Sequence, residues 1–310
     1  MPLDDLIQFQ NSQSVHLHVG DCITILQTLP EFHFQTCVTS PPYFGLRDYQ
    51  VDGQIGMEET PDAYVAKLVD VFRKVHRVLR DDGTVWLNLG DSYARVGGNA
   101  NNKPDIHREA IQAVRSPDLP LGIKSKDLLG MPWRVAFALQ ADGWWLRSAI
   151  VWQKPNPMPE SVKDRPTSAY EMVFLLAKSE QYFYDADAIR EPTVCDRMRG
   201  PALHPDLVST NGNAGLARRP ISETRNARNV WTITTQSFKG AHFATMAPEL
   251  AQRCILAGCP EGGTVLDPFG GAGTTGLVAG ALHRRATLIE LNPDYAEIAR
   301  SRLGHLVAID

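Results

Sequence analysis

Residues 265–276, Val265 to Gly276, read VLDPFGGAGTTG. A short β-rich run ends at Asp267. Gly270, Gly271 and Gly273 follow, and an apolar helical stretch, TGLVAGALHR, opens behind them. Glycine lets a backbone turn sharply and come close to a ligand. Glu290 then ends the next apolar run, ATLIELN, where a strand-terminal carboxylate can accept both hydroxyls of a ribose. A glycine turn taken alone can serve packing only. The ordered set of strand, glycine turn, helix, strand and terminal acid points to a nucleoside cofactor. The turn is not GxGxxG and carries no GK[ST], so a ribose-bearing cofactor without a phosphate cradle fits better than NAD or ATP.

The same alternation runs outward from this unit. PDYAEIARSRL closes the tail as a helix, and MAPELAQRCILAGC precedes the glycine unit as a capped helix. Near the start, SVHLHVGDCITILQTLP reads as strand, turn and short helix; Asp21 at the turn can cap the helix or face a cofactor. TPDAYVAKLVDVFRKVHRVLRDDG places Tyr64, Leu68, Val69, Phe72, Val75 and Val78 at helical spacing, with Thr60-Pro61 as a start signal and Gly83 as a stop. TVWLNLGDSY, WWLRSAIVWQK and AYEMVFLLAKS read as strands, and LLGMPWRVAFALQADG as a helix; Asp91 sits at a strand end, where it can face the site or cap a helix. Strands alternating with helices predict an α/β fold with a doubly wound, mostly parallel sheet. Trp144, Trp145 and Trp152 are expected in the core.

A second stretch interrupts this pattern: CVTSPPYFGLRDY, Cys37 to Tyr49. Proline has no N–H for a sheet ladder, so Pro41 and Pro42 stop the strand before them, and Pro42 biases Pro41 to an extended conformation. The result is a stiff loop presenting the Ser40 hydroxyl, backbone carbonyls and the Tyr43 ring.

The 310 residues carry a formal net charge of −4, so a nucleic-acid surface, if there is one, has to be local. There are five cysteines and no zinc-type spacing; reduced, mostly buried thiols, no metal and an intracellular, soluble chain are expected. No apolar run reaches transmembrane length. Two segments lose periodicity. One runs from Arg95 to Ser125; the other runs from Asp185 to Arg228, with Arg197, Arg199, Arg218, Arg219, Arg225 and Arg228 outnumbering the acids. This divides the chain into 1–184 with a loop near 95–125, an inserted 185–235, and 236–310.

With these motifs in hand, the sequence resembles the β group of DNA amino-methyltransferases that use S-adenosylmethionine. Thr39-Ser40-Pro41-Pro42-Tyr43 is similar to their [S/D/N]PP[Y/F] catalytic motif, and Asp267 to Gly273 to their FxGxG cofactor motif; HFATMAPEL, His242 to Leu250, resembles the segment before it. The resemblance implies a Rossmann-like methyltransferase domain with 185–235 as target-recognition region. It implies a catalytic set of Ser40, Pro41, Pro42 and Tyr43. It implies a cofactor set of Asp21, Asp267, Phe269, Gly271, Gly273, Thr274, Glu290 and His242. Arg218, Arg219, Arg225, Arg228 and Lys154 would meet DNA, Lys154 at the flipped-base pocket. Double-stranded DNA is the implied substrate, a homodimer and a cognate restriction enzyme the implied partners, and the cytoplasm of a bacterial or phage system the implied location.

The chemistry suits those residues. An exocyclic amino nitrogen is a poor nucleophile because its lone pair is delocalised into the ring. Ser40 Oγ and the Pro41 carbonyl can accept its two protons and draw the lone pair out. Tyr43 offers a stacking face to a base that has been flipped from the duplex. No Pro-Cys nucleophile is needed. Serine rather than aspartate at position 40 resembles the N4-cytosine enzymes of the family, so the resemblance favours N4 of cytosine, with N6 of adenine as the alternative and an RNA or protein amino group as a more distant one.

Overall fold

The computed structural model describes residues 14–94, 123–193, 223–236 and 246–307. In chain order the elements are β1 (Val15–Val19), α1 (Cys22–Thr28), β2 (Phe34–Thr39), α2 (Pro61–Val78), β3 (Leu79–Leu89), α3 (Met131–Ala141), β4 (Trp145–Gln153) and β5 (Tyr170–Ala177). They continue with β6 (Glu191–Pro192), β7 (Thr224–Arg225), β8 (Val230–Thr232), α4 (Pro248–Gly258), β9 (Thr264–Asp267), α5 (Thr274–Ala281), β10 (Arg285–Glu290) and α6 (Pro293–Leu303). Eight strands form one sheet in the order β1-β10-β9-β2-β3-β5-β4-β8, while β6 and β7 make a separate two-stranded antiparallel pair. Within the large sheet only β5 runs antiparallel to its neighbours, so the predicted doubly wound, mostly parallel sheet is what forms.

Side-chain alternation explains the two layers. Successive residues of a strand point to opposite faces. Cys37, Leu87, Phe174, Leu266 and Ile289 pack in one cluster with residues of α1, α2 and α3. Their neighbours Val38, Trp86, Val173, Val265 and Leu288 pack in the other with α4, α5 and α6. Helices therefore cover both faces, and β2 is buried along its whole length, as a central parallel strand requires. α2 is set by its own sequence: Thr60 accepts from the Ala63 N–H, Pro61 opens the first turn, and Tyr64, Leu68, Phe72 and Val75 form the buried stripe.

Three local expectations change. α2 ends at Val78 and β3 begins at once at Leu79, so Gly83 does not stop a helix. It lies inside β3 beside a register shift opposite Phe34 and Thr36, and an added Cβ there would stand 2.8 Å from the Arg80 carbonyl oxygen; glycine is what the bulged strand accommodates. α4 starts on Ala247 without a side-chain cap, helped by Pro248. Trp144 and Trp152 are core residues, but Trp145 is 45% exposed because it points the other way on β4.

The described parts of 1–184 and 236–310 share one sheet: β10 pairs with β1, and β9 with β2. The end of 185–235 also belongs to that sheet, as β8 on β4. The four described cysteines are buried and unbonded; Cys195 lies outside the described residues. Among the described residues no helix is long and apolar enough to cross a membrane.

The packing of α5 on the sheet gives a prediction. A Cβ on Gly276 would stand 2.9 Å from Leu288 Cδ1 and 3.0 Å from Val15 Cγ1. Gly276→Val is expected to destabilise the fold by about 1–3 kcal/mol, seen as a lower urea midpoint. An unchanged midpoint would mean that α5 is not seated as closely as this.

Candidate active site

The strand order places both motifs side by side. The chain leaves β9 through α5 toward β10 and β1, and leaves β2 through α2 toward β3, in the opposite direction along the sheet. A crevice opens at the carboxyl ends of strands where the order reverses in this way. The loop after β2 is Ser40-Pro41-Pro42-Tyr43; the loop after β9 is Pro268-Phe269-Gly270-Gly271-Ala272-Gly273. Both line one cavity of about 300 Å³.

Asp267 ties the two loops together. Its Oδ1 accepts from the Thr39 hydroxyl at 2.6 Å and the Phe269 N–H at 3.1 Å; its Oδ2 accepts from the Thr275 hydroxyl at 2.6 Å. Burial lifts its carboxyl above the usual range, against the pull of these hydrogen bonds. Asp267 is 3% exposed. It was expected as a cofactor contact; it lines the cavity, and both its oxygens also accept from protein donors, which makes it a clamp between the two loops.

On the cofactor side Gly271 and Gly273 have φ of 50° and 78°, values that an L side chain rarely adopts. The Gly271 N–H donates to Glu290 Oε2 at 2.7 Å, and the Asn292 N–H to Oε1 at 2.8 Å. Burial pushes the Glu290 carboxyl above the usual range, opposed by those two N–H groups. Each carboxylate oxygen keeps a second lone pair. The Thr274 hydroxyl accepts from Arg302 at 2.8 Å. Asp21 caps α1, accepting from the Thr24 N–H and hydroxyl, each at 2.8 Å; it also lines the cavity, because Gly20 hydrogen-bonds Glu290 across β1 and β10. His242 lies outside the described residues. The Tyr49 and Tyr295 rings meet edge to face at 5.9 Å, which draws the loop after the prolines over the start of α6. The glycine turn, an acid at the next strand end and apolar Phe269 form a donor and acceptor set that fits a nucleoside, so the residues present fit S-adenosylmethionine.

On the catalytic side the prolines are braced from behind: Tyr64 donates its hydroxyl to the Pro42 carbonyl at 2.8 Å. Tyr43 is not the exposed ring expected of the loop. It is half-buried, packs against the core, and an added Cβ on Gly90 would stand 2.6 Å from its Cε2. Its hydroxyl donates to Glu171 Oε2 at 2.6 Å and accepts from Ser40 Oγ at 3.2 Å. Asn88 Nδ2 donates to the same Glu171 oxygen at 3.0 Å, and Lys154 pairs with the other. Lys154 and Glu171 have side chains only 18% and 15% exposed. Lys154 thus lines the cavity, with its ammonium paired to a carboxylate. Glu171 and Asn88 escaped the sequence reading. The available signal was a lone acid at the head of the apolar strand AYEMVFLLA. Asp91 caps: its Oδ1 accepts from the Met131 N–H at 3.0 Å at the start of α3.

The recognition arginines divide. Arg218 and Arg219 lie outside the described residues. Arg225 Nε and Arg228 Nε both donate to Glu191 Oε1, at 2.8 and 2.5 Å, beside the β6–β7 pair. These two were expected to meet DNA, and each also has an acidic protein partner at Nε. The pair of guanidinium groups holds the Glu191 carboxyl below its usual range, against desolvation.

A fold and a site of this kind suit an enzyme that holds a nucleoside cofactor beside a second substrate. Comparison with known proteins gives the family. Residues 34–301 match the N6/N4 DNA methylase family model. The Type II methyltransferase M.SmaI of Serratia marcescens is 45% identical over 94% of this chain and 92% of its own. The structure of the PvuII DNA methyltransferase, cytosine-N4-specific, superposes with a TM-score of 0.63 at 20% identity, covering 95% and 90% of the two chains. A putative DNA modification methylase of Thermus thermophilus, complexed with S-adenosyl-L-methionine, does so at 0.58 and 24%, covering 94% of each. The chain belongs to the N6/N4 DNA methylase family, and it is an S-adenosylmethionine-dependent DNA amino-methyltransferase.

The Asp267 clamp gives the test of this geometry. Thr39→Val removes one donor from a buried carboxylate and is expected to cost about 1–3 kcal/mol of stability, with Thr275→Val similar. If urea unfolding shows both variants as stable as the parent, the clamp does not hold the two loops.

Proposed function

We propose that this enzyme methylates N4 of a cytosine flipped out of duplex DNA at a short recognition site. The reading is carried by one observation: the Ser40-Pro41-Pro42-Tyr43 loop and the glycine turn with Glu290 open into the same cavity from adjacent strands. Glu290, Asp21, Gly271, Phe269 and Thr274 would hold S-adenosylmethionine, with the ribose hydroxyls on Glu290. When bound, that cofactor supplies an electrophilic sulfonium methyl group. Ser40 Oγ and the Pro41 carbonyl accept the two amino protons and favour a more tetrahedral nitrogen in line with the methyl. The Tyr43 ring, a wall of the cavity, stacks on the base. Extrusion costs a few kcal/mol, which contact in the cavity offsets in part.

Residues 185–235 act as the target-recognition region in this reading. Arg225 and Arg228 give one N–H each to Glu191, and a guanidinium has five donors in all, so base or phosphate contacts use the remainder. The Type II name of the relative supports modification at a defined site, with a cognate restriction enzyme as companion. A homodimer rests on the resemblance alone.

Transfer of labelled methyl groups into duplex DNA, followed by mass spectrometry of the nucleosides, tests the target. N4-methylcytosine is the expected product, and Ser40→Ala is expected to lower transfer by about 100-fold or more with cofactor affinity unchanged. N6-methyladenine as sole product overturns the cytosine assignment but not amino-methyl transfer. Label appearing in RNA or protein and not in DNA overturns the substrate.

Glu290 gives a pH dependence with a definite sign. The carboxylate form is the one that accepts two hydroxyls, and its folded-state pKa is raised by burial. Affinity for S-adenosylmethionine is therefore expected to fall as pH drops through that raised value, at a higher pH than for an ordinary glutamate. Glu290→Gln is expected to bind more weakly at pH 8 and without this dependence. Calorimetry giving parallel pH profiles for the two proteins removes Glu290 from the cofactor site.

A further inference from the structure

Serine at position 40 poses a chemical difficulty. A neutral hydroxyl draws the amino lone pair out less than a carboxylate would, and it cannot keep the proton that the nitrogen must lose after methylation. The structure places a carboxylate two hydrogen bonds away. Resting on the amino-methyl transfer proposed for Ser40, we propose that Glu171 takes that proton through a Ser40–Tyr43–Glu171 chain, and that before transfer it turns the Ser40 lone pairs toward the base.

The direction of the chain follows from its end. An ionised carboxylate only accepts. Glu171 Oε2 lies 2.6 Å from the Tyr43 oxygen, so the Tyr43 proton points to Glu171; the alternative acceptor, Asn88 Oδ1, is 3.3 Å away. The Asn88 amide is itself turned with Nδ2 toward Glu171 Oε2 and the Met172 carbonyl, at 3.0 and 3.2 Å. With its proton committed, the Tyr43 oxygen accepts, and Ser40 Oγ, 3.2 Å away, donates to it. The lone pairs of Ser40 are then left for the N–H groups of the base. Charge-assisted hydrogen bonds of this kind polarise the whole chain.

Three elements hold the carboxylate in place. Asn88 is on β3, Glu171 is the second residue of the antiparallel β5, and Lys154 follows β4. Trp152 is paired with Glu171 in the β4–β5 register, and the Lys154 ammonium lies 4.6 Å from the Trp152 ring centre. Lys154 pairs with Glu171 Oε1 from the other side, and the Glu171 side chain is largely covered, 15% exposed. Tyr43 stays protonated as a free-standing group: burial and the Glu171 charge push its hydroxyl well above the usual range. It serves as a link that gives one proton as it receives another.

The step balances. The amine lone pair forms the new C–N bond as the C–S bond breaks and its electron pair leaves on sulfur. The resulting aminium loses one N–H proton to Ser40 Oγ, the Ser40 proton passes to the Tyr43 oxygen, and the Tyr43 proton passes to Glu171 Oε2. Aminium and carboxylate become a neutral methylated amine and a carboxylic acid. Beside the Lys154 ammonium that acid returns its proton to water once the product base leaves. Glu171 is a positioning residue in this scheme, because it reaches the base only through Tyr43 and Ser40.

Steady-state and single-turnover transfer by the full-length enzyme, with S-adenosylmethionine and a duplex substrate, tests the chain. Tyr43→Phe keeps the ring and removes the link; Glu171→Gln keeps the shape and removes the charge. Each is expected to lower kcat by at least about tenfold, leaving KM for both substrates within about twofold, and the double variant is expected to be no slower than the worse single one. A merely structural role would raise KM or lower Tm along with kcat. The inference is overturned if Tyr43→Phe transfers at the parent rate, or if the two losses multiply in the double variant. If Glu171→Gln does not fold, Tyr43→Phe alone decides. Ser40→Ala separates the two levels: an inactive Ser40→Ala beside a fully active Tyr43→Phe removes the relay only, whereas an active Ser40→Ala removes the underlying reading.

Discussion

The Asp267 carboxylate, buried between the Thr39 and Thr275 hydroxyls, is the constraint on which the rest of the site depends. It joins the last residue of the catalytic strand, the cofactor strand that it ends and the second residue of the helix beyond. A buried carboxylate without partners is costly, so the two loops are held at one separation as a condition of folding. The constraint works because β2 and β9 are adjacent and parallel at the point where the strand order reverses. Neither loop forms the cavity by itself.

A second carboxylate answers a different need. Ser40 can accept hydrogen bonds but carries no charge, and Ser40-Pro41-Pro42-Tyr43 contains no acid. Glu171 supplies charge from another strand, because β5 runs antiparallel to β3 and brings its first residues to the carboxyl ends of the parallel strands. In an all-parallel sheet that strand's start would lie at the opposite edge. The antiparallel strand of the large sheet therefore has a consequence for chemistry as well as for topology.

Much of this was legible in the residues. The glycine turn, the strand-terminal acid and the proline loop are local, so their meaning follows from backbone chemistry within a few residues. α2 was readable for the same reason, with Thr60-Pro61 at its start and an apolar stripe. Its end was misread because Gly83 is a stop signal by propensity, yet serves a bulge once β3 pairs with β2. Asp267 was assigned by motif position; only its three donors show what the carboxylate is engaged with. Arg225 and Arg228 were legible as cations of a basic stretch, but sequence spacing carries no sign of their partner Glu191, 34 and 37 residues away along the chain.

By itself the sequence determined the order of strands and helices, the two rigid loops, and the types of group available for binding a nucleoside and an amine. Each of these depends on periodicity, on proline's missing N–H or on glycine's freedom at positive φ, all properties of short stretches. Tertiary structure alone decided that Tyr43 is an anchored ring, that Lys154 faces an acid, and that Ser40, Tyr43 and Glu171 form a chain. Those contacts join residues that are 128 positions apart for Tyr43 and Glu171 and 228 apart for Thr39 and Asp267. They exist because strand pairing, which is non-local, sets the positions of side chains that no local pattern connects.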